Sequence, residues 1–488
     1  MQLSRRAMLA GAVSTLATTG FADAPLTSIR PLARTPAKDA IRKMVAGRGF
    51  SGDLGLKVVD LQSGEVLEDI SSQTPQPPAS VTKAVTALYA LETLGVGYQY
   101  KTRLIAQGDI EDGILDGNLI LVGGGDPNLV TDQIAELAQS FKDTGLREVR
   151  GDFLVWDNAL TNLDEIDAGQ LDHLGYNPTI TGLNLNYNRV HFEWKLEDED
   201  YVTALDARSE NYRPAVTTAR MNIVDRTTPV FTYRDAGDVD QWTVARRALN
   251  KEGSRWLPVR HPALYAGEVF ATFARSHGIV LKAPKETMDM PEGTVLASYE
   301  SAPLREMMRG MLRYSTNITA EAAGLTATAA RVGQQRGLRT SALGMARWAD
   351  ARAQGIAPFF VDHSGLGDQS RISASDMVRL LGATDVMPTL KPILRDVRLV
   401  DDNQRVIEDP AISIKAKTGT LNFVATLAGY ARTKSGRDLA FAIFASDLAA
   451  REVGKAHGAE SPPGARGWNR RVRSLQQDIL KHLVLRLT

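Results

Sequence analysis

Apolar and polar positions along this chain change period repeatedly. Near the start, LGLKVVDLQSGEVLEDI holds two short alternating runs joined by Gln62-Ser63-Gly64, which predicts a hairpin. PPASVTKAVTALYALETLG, Pro77 to Gly95, then turns to helical period behind two prolines and a serine. Past Gly95 come short strands and tight turns, TRLIAQGDI, ILDGNLILVGGGDPN and REVRGDFLVWDN, with a helix near Thr131 to Thr144. This reads as a small α+β unit. Residues 190–265 are richer in charge, carry Trp194, Trp242 and Trp256, and read as a further subdomain.

Helical period returns at about Ala302. APLREMMRGMLRY sets Leu304, Met307, Met308, Met311 and Leu312 on one side, which assigns the methionines to a core. Helices near Thr319 to Val332 and Arg339 to Ala353 follow, with another after the loop VDHSGLGDQSRIS. The tail is strand-like again in AISIKAKTGTLNF, VATLAGYAR and LAFAIFAS, and a helix near Asn469 to Arg486 closes it. Strands at both ends with helices between them predict an α+β fold. One sheet is built from both termini, and the middle of the chain is an insertion.

Composition narrows the chemistry. At 488 residues the chain has room for two to four domains at roughly 100–200 residues each. Lys+Arg and Asp+Glu both number 57, so nothing favours nucleic acid or an anionic membrane as partner. With no cysteine, disulfides, thiolate metal sites and cysteine nucleophiles are excluded together. The first 24 residues read as a signal peptide: a basic start with Arg5-Arg6, a modest apolar stretch, and small residues at Ala22-Asp23-Ala24. The arginine pair resembles a twin-arginine signal. No other run approaches the ~18 apolar residues of a membrane span, so a soluble, exported, periplasmic protein is expected.

Several motifs carry nothing. Gly123-Gly124-Gly125 lacks the surroundings of a phosphate loop and reads as a turn. LEDEDY, Leu196 to Tyr201, lacks the glycine and terminal glutamate of a calcium loop and reads as a solvated face. The seven histidines are scattered without metal spacing, and neither a GxSxG elbow nor HExxH is present.

Ser80-Val81-Thr82-Lys83 differs from these. In a helix that begins at Ser80, positions i and i+3 share a face, so hydroxyl and amine can meet beside unpaired backbone N–H groups. Alone, the motif favours a helix cap, because Ser is a preferred cap and composition supplies on the order of one S-x-x-K by chance in such a chain. Two further elements change this. Lys417-Thr418-Gly419-Thr420 lies in an alternating strand, where a glycine lets a ligand backbone approach and a lysine can meet a carboxylate. Ser315-Thr316-Asn317 sits between two helical patterns. A rival S-x-N at Ser209-Glu210-Asn211 lies in the charged middle segment, where a catalytic serine would be held less firmly.

S-x-x-K, S-x-N and K-T-G in this order are the set of β-lactamases and penicillin-binding proteins. With GGGDPNL, GLNLNYNRV, ASYESAPLREMMRGMLRYSTN, DHSGLGDQSRIS and AKTGTLNFVATLAGY, the chain closely resembles the D-alanyl-D-alanine carboxypeptidase/endopeptidases, the class C low-molecular-mass penicillin-binding proteins. The resemblance implies a β-lactamase/transpeptidase-like catalytic domain, an antiparallel sheet flanked by helices, from residues 25–95 and 295–488. Residues 96–294 would form a β-rich insertion of two domains, roughly 96–189 plus 266–294, and 190–265. It implies a serine D,D-peptidase without metal or cofactor, acting on peptidoglycan stem peptides and acylated by β-lactams. Ser80 would attack, neutral Lys83 would take its proton, and Ser315 would pass a proton to the leaving amine. Lys417, Thr418, Gly419 and Thr420 would bind the terminal carboxylate, Asn317 a substrate amide, and the N–H groups of Ser80 and Thr420 would form an oxyanion hole. Thr316 and His363 depart from the family, which usually has aspartate and glycine there. A non-catalytic peptidoglycan-binding scaffold and a serine β-lactamase are the alternatives. Oligomeric state is not legible.

Overall fold

A computed structural model describes residues 37–486, apart from residues 402, 404 and 457. The expected signal peptide lies outside the described residues. The main sheet has six antiparallel strands in the order Arg395–Asp396, Ser413–Leu421, Val424–Arg432, Asp438–Ser446, Asp53–Asp60 and Val66–Ile70. Opposite ends of the chain meet inside it, where Asp438–Ser446 pairs with Asp53–Asp60, from Asp53 with Ser446 to Asp60 with Leu439.

Strand period explains the two cores on this sheet. Along Asp438–Ser446, Leu439, Phe441, Ile443 and Ala445 face a layer made by the helices Ala37–Gly47 and Ala465–Arg486, where Trp468, Val472, Leu475 and Ile479 meet them. The alternate residues Ala440, Ala442 and Phe444 face the helices Thr82–Leu94, Leu304–Tyr314, Asn317–Val332, Leu338–Ala353 and Ala374–Leu381. Met307, Met308 and Met311 lie in that second core, as their spacing predicts. The helix Thr82–Leu94 runs through the middle of this layer and is buried at every residue from Thr82 to Leu91. A helix apolar nearly all round is a core helix, and whatever polar group it carries is desolvated with it.

The insertion supplies a mixed sheet in the order Lys285–Glu286, Phe153–Trp156, Ile114–Val122, Lys101–Glu111 and Thr294–Glu300. The helices Thr131–Asp143 and Pro262–Ser276 cover it through Phe141, Phe153 and Phe270. Two three-stranded sheets complete the insertion, one around Arg189–Glu197 and one around Asp240–Ala245. The division expected from sequence differs from this in two places. Thr294–Glu300 pairs with Lys101–Glu111, so the inserted sheet runs through Glu300 rather than stopping at 294. Phe192, Trp242, Val244 and Leu257 join the same apolar cluster as Phe153 and Phe270, so residues 190–265 pack on the first unit without a core of their own.

Candidate active site

The helix at the opening motif starts later than its sequence suggests. Ala79–Val81 form a single 3-10 turn, and the α-helix begins at Thr82. Ser80 is therefore not a cap, and no side chain caps either segment. Ala79 adopts a left-handed φ of +47°, strained for a residue with a Cβ. Thr426 Oγ1 donates to Pro78 O at 2.7 Å, which pins the turn to the sheet. Gly419 lies against the same carbonyl: a Cβ there would stand 2.7 Å from Pro78 O and overlap Thr426 Oγ1. The glycine of K-T-G thus admits the protein's own turn, not only a ligand's backbone.

Lys83 Nζ, on a side chain with no exposure, is 3.0 Å from Ser80 Oγ. It donates to Asn317 Oδ1 and to Ser364 O, each at 2.7 Å. Lys417 Nζ donates to Ser315 Oγ at 2.9 Å and to Thr418 O at 2.8 Å. Ser315 ends the helix Leu304–Tyr314 in a left-handed conformation, and its own N–H closes on Met311 O. Its hydroxyl is left to face the strand. Thr418 and Thr420 are exposed where Lys417 and Gly419 are buried.

The structure thus brings Ser80, Lys83, Ser315, Asn317 and Lys417 together. A cavity of about 520 Å³ opens over them, lined by Ser80, Ser315, Asn317 and Thr420. The insertion closes one side of it with Asp167, Gln170 and Tyr176, and Arg451 and Lys455 stand on another. The rival Ser209-Glu210-Asn211 lies elsewhere: Asn211 borders a second cavity built wholly from the insertion.

Burial sets the electrostatics. Desolvation pulls Lys83 down to about 8, against the opposing pull of Glu321 and Asp362. Lys417 falls well below an ordinary lysine, by burial first and then by the charges of Lys83 and Arg395. Glu321 and Asp362 are themselves raised by burial, while the backbone N–H groups they accept from oppose the rise.

Sequence reasoning missed three features here. Glu321 follows Asn317 by four residues on one helix, a spacing that puts both on one face. Ser364 enters through its carbonyl, which carries no side-chain signal. Tyr176 comes from the insertion and accepts from Asn317 Nδ2 at 2.8 Å. The two departures from the family also find their places. Thr316 Oγ1 donates to Thr319 Oγ1, which donates to Asn128 Oδ1 of the insertion, both at 2.9 Å. The His363 ring is fully buried against Gly324, where a Cβ would overlap it, and its Nε2 lies 2.8 Å from Ser341 Oγ.

Among the described residues, His191, Glu193 and Asp206 bring three metal-capable side chains together. Arg208 already bonds both carboxylates, at 2.6 and 2.9 Å, so a fixed cation occupies the group's negative side.

The chain is similar to known proteins over most of its length. In sequence, the chain is 25% identical over 471 residues to a D-alanyl-D-alanine carboxypeptidase of Actinomadura sp., covering 84% of this chain and 83% of that one. It is 23% identical over 438 residues to the D-alanyl-D-alanine carboxypeptidase DacB of Haemophilus influenzae, covering 86% and 89%. In structure, penicillin-binding protein 4 (dacB) of Haemophilus influenzae matches with a TM-score of 0.73 at 19% identity, over 90% of this chain and 99% of that one. The fold is therefore the transpeptidase-like α+β fold with added β-rich domains. The model of the D-Ala-D-Ala carboxypeptidase 3 (S13) family matches residues 39–461, and the chain belongs to that family of serine-type peptidases.

Proposed function

We propose that this protein cleaves D-Ala-D-Ala termini and D,D cross-links of peptidoglycan stem peptides through an acyl-enzyme on Ser80, and that β-lactams acylate the same serine. The observation that carries this reading is the set of partners around Lys83. A neutral amine has two N–H donors and one lone pair. Asn317 Oδ1 and Ser364 O can take the two hydrogens, which leaves the lone pair for the Ser80 hydroxyl at 3.0 Å. Burial supports the neutral form.

In the proposed reaction Ser80 Oγ attacks the carbonyl carbon between two D-alanines as its proton passes to Lys83 Nζ. The N–H groups of Ser80 and Thr420 would stabilise the oxyanion. Collapse breaks the C–N bond, and the leaving amine takes a proton relayed by Ser315 Oγ. Water then hydrolyses the ester. Lys417, Thr418, Gly419 and Thr420 would receive the substrate's terminal carboxylate, and Asn317 would exchange its bond with Tyr176 O for one to a substrate amide. The N-terminal sequence supports export to the periplasm, where such a substrate lies.

A fluorescent penicillin tests this. Folded protein is expected to gain the mass of one intact antibiotic on the peptide containing Ser80, and Ser80→Ala to gain none. Digestion of cross-linked muropeptides, with products separated by mass, apportions carboxypeptidase and endopeptidase turnover. Folded protein that stays unlabelled would overturn the reading and leave a non-catalytic scaffold. Acyl release within seconds would indicate a β-lactamase.

A further inference from the structure

Two buried carboxylates behind the cavity take no part in the proposed chemistry. Glu321 has no exposure and Asp362 has 1%. Both oxygens of each accept backbone N–H groups from one loop. Glu321 Oε2 accepts from His363 N at 2.8 Å and Oε1 from Ser364 N at 2.9 Å. Asp362 Oδ1 accepts from Gly365 N at 2.6 Å and Oδ2 from Gly367 N at 2.5 Å. The loop has no helix or strand to fix it, and these four amide bonds help to set its course. Thr86 Oγ1, from the helix that carries Lys83, donates to His363 O at 2.5 Å and ties the loop to that helix. The Ser364 carbonyl thereby points at Lys83 Nζ, 2.7 Å away.

We propose that Glu321 and Asp362 are positioning residues for Lys83: holding the loop's amides, they aim the Ser364 carbonyl at its amine. The inference rests on Lys83 being the base. A second consequence follows from charge. The ionisable groups around Lys83 are Glu321 from its helix, Asp362 from the loop and Lys417 from the strand, and the two carboxylates oppose the loss of the proton from Lys83. Burial raises Glu321 to about 8 and Asp362 to about 6 against the N–H groups they accept from, and where ionised each favours the protonated amine, so removing one makes Lys83 neutral at lower pH.

The test is the second-order rate of acylation by a fluorescent penicillin against pH, on the full chain, with thermal midpoints as the check on folding. Glu321→Gln keeps one acceptor oxygen and turns a donor toward an N–H. Its acid limb is expected to move down by about one pH unit, and its plateau to fall about tenfold or more. Glu321→Asp keeps the charge and loses the reach to both amides, so its plateau falls while its limb stays. Asp362→Asn gives a smaller downward shift, and is read alone if Glu321→Gln does not fold. Limbs unmoved in folded Glu321→Gln and Asp362→Asn would overturn the inference, as would a Glu321→Asp limb displaced as far as that of Glu321→Gln. Wild-type protein that takes no label refutes the proposed function instead, so the two failures are distinguishable.

Discussion

Lys83 and Lys417 are both buried amines in one site, and the difference between their surroundings separates two kinds of chemistry. Lys83 rides on a core helix and meets two carbonyl oxygens and a hydroxyl, with carboxylates behind it. Lys417 sits on a strand and meets the Ser315 hydroxyl and the Thr418 carbonyl, and the charges that act on it are those of Lys83 and Arg395. Three partners suit a neutral amine that accepts a proton. Two acceptors leave an ammonium one hydrogen free for an incoming anion. In the proposed mechanism a substrate carboxylate restores the charge of Lys417, and that charge keeps Lys83 neutral. In that mechanism the same residue type serves as a base in one place and an anion receptor in another, because burial is common to both and partners are not.

Removing the base should have the largest effect. Lys83→Met keeps the buried stem and loses the amine, and penicillin acylation is expected to fall by about 10³-fold or more, measured by rapid mixing. A loss under tenfold would remove Lys83 from the role. Lys417→Met comes next. It should weaken cleavage of a D-Ala-D-Ala peptide by roughly 10- to 100-fold, the worth of a charge-assisted hydrogen bond, and affect a carboxyl-terminal amide analogue far less. Equal losses on both substrates would erase the contrast between the lysines. Gly419→Ala is the smallest change. Its methyl group meets Pro78 O and Thr426 Oγ1, so the strand bearing Lys417 and the turn bearing Ser80 must part. A loss of about 1–3 kcal/mol is expected from chemical denaturation. No loss would mean that turn and strand are not one rigid unit.

The fold was legible where periodicity is strong. The continuous apolar run LAFAIFAS is buried on both faces of its strand, and the helical spacing in APLREMMRGMLRY marks the side of its helix that is buried. The division of the insertion was not. Thr294–Glu300 has no composition that assigns it to one sheet rather than another, and its pairing with Lys101–Glu111 spans the whole insertion. At the site, Ser80, Lys83, Ser315, Asn317 and Lys417 carried motif signals that the geometry joins. Backbone contributions did not: the Ser364 and Tyr176 carbonyls act through atoms every residue has, and only the folded chain gives them a position. The helix boundary was misread for a similar reason, since Pro77-Pro78-Ala79-Ser80 looks like a helix start but the strained Ala79 makes a separate turn.

The central claim is that neutral Lys83 takes the proton of Ser80. The most direct measurement is the second-order rate of penicillin acylation between about pH 6 and pH 9.5. Burial holds Lys83 at about 8, and the neutral form is the active one. The rate should therefore rise with pH as a single-proton limb centred near 8, with roughly a tenth of the plateau at pH 7. The limb should vanish in Lys83→Met. A rate that is flat across this range, or that falls as pH rises through 8, would contradict the account.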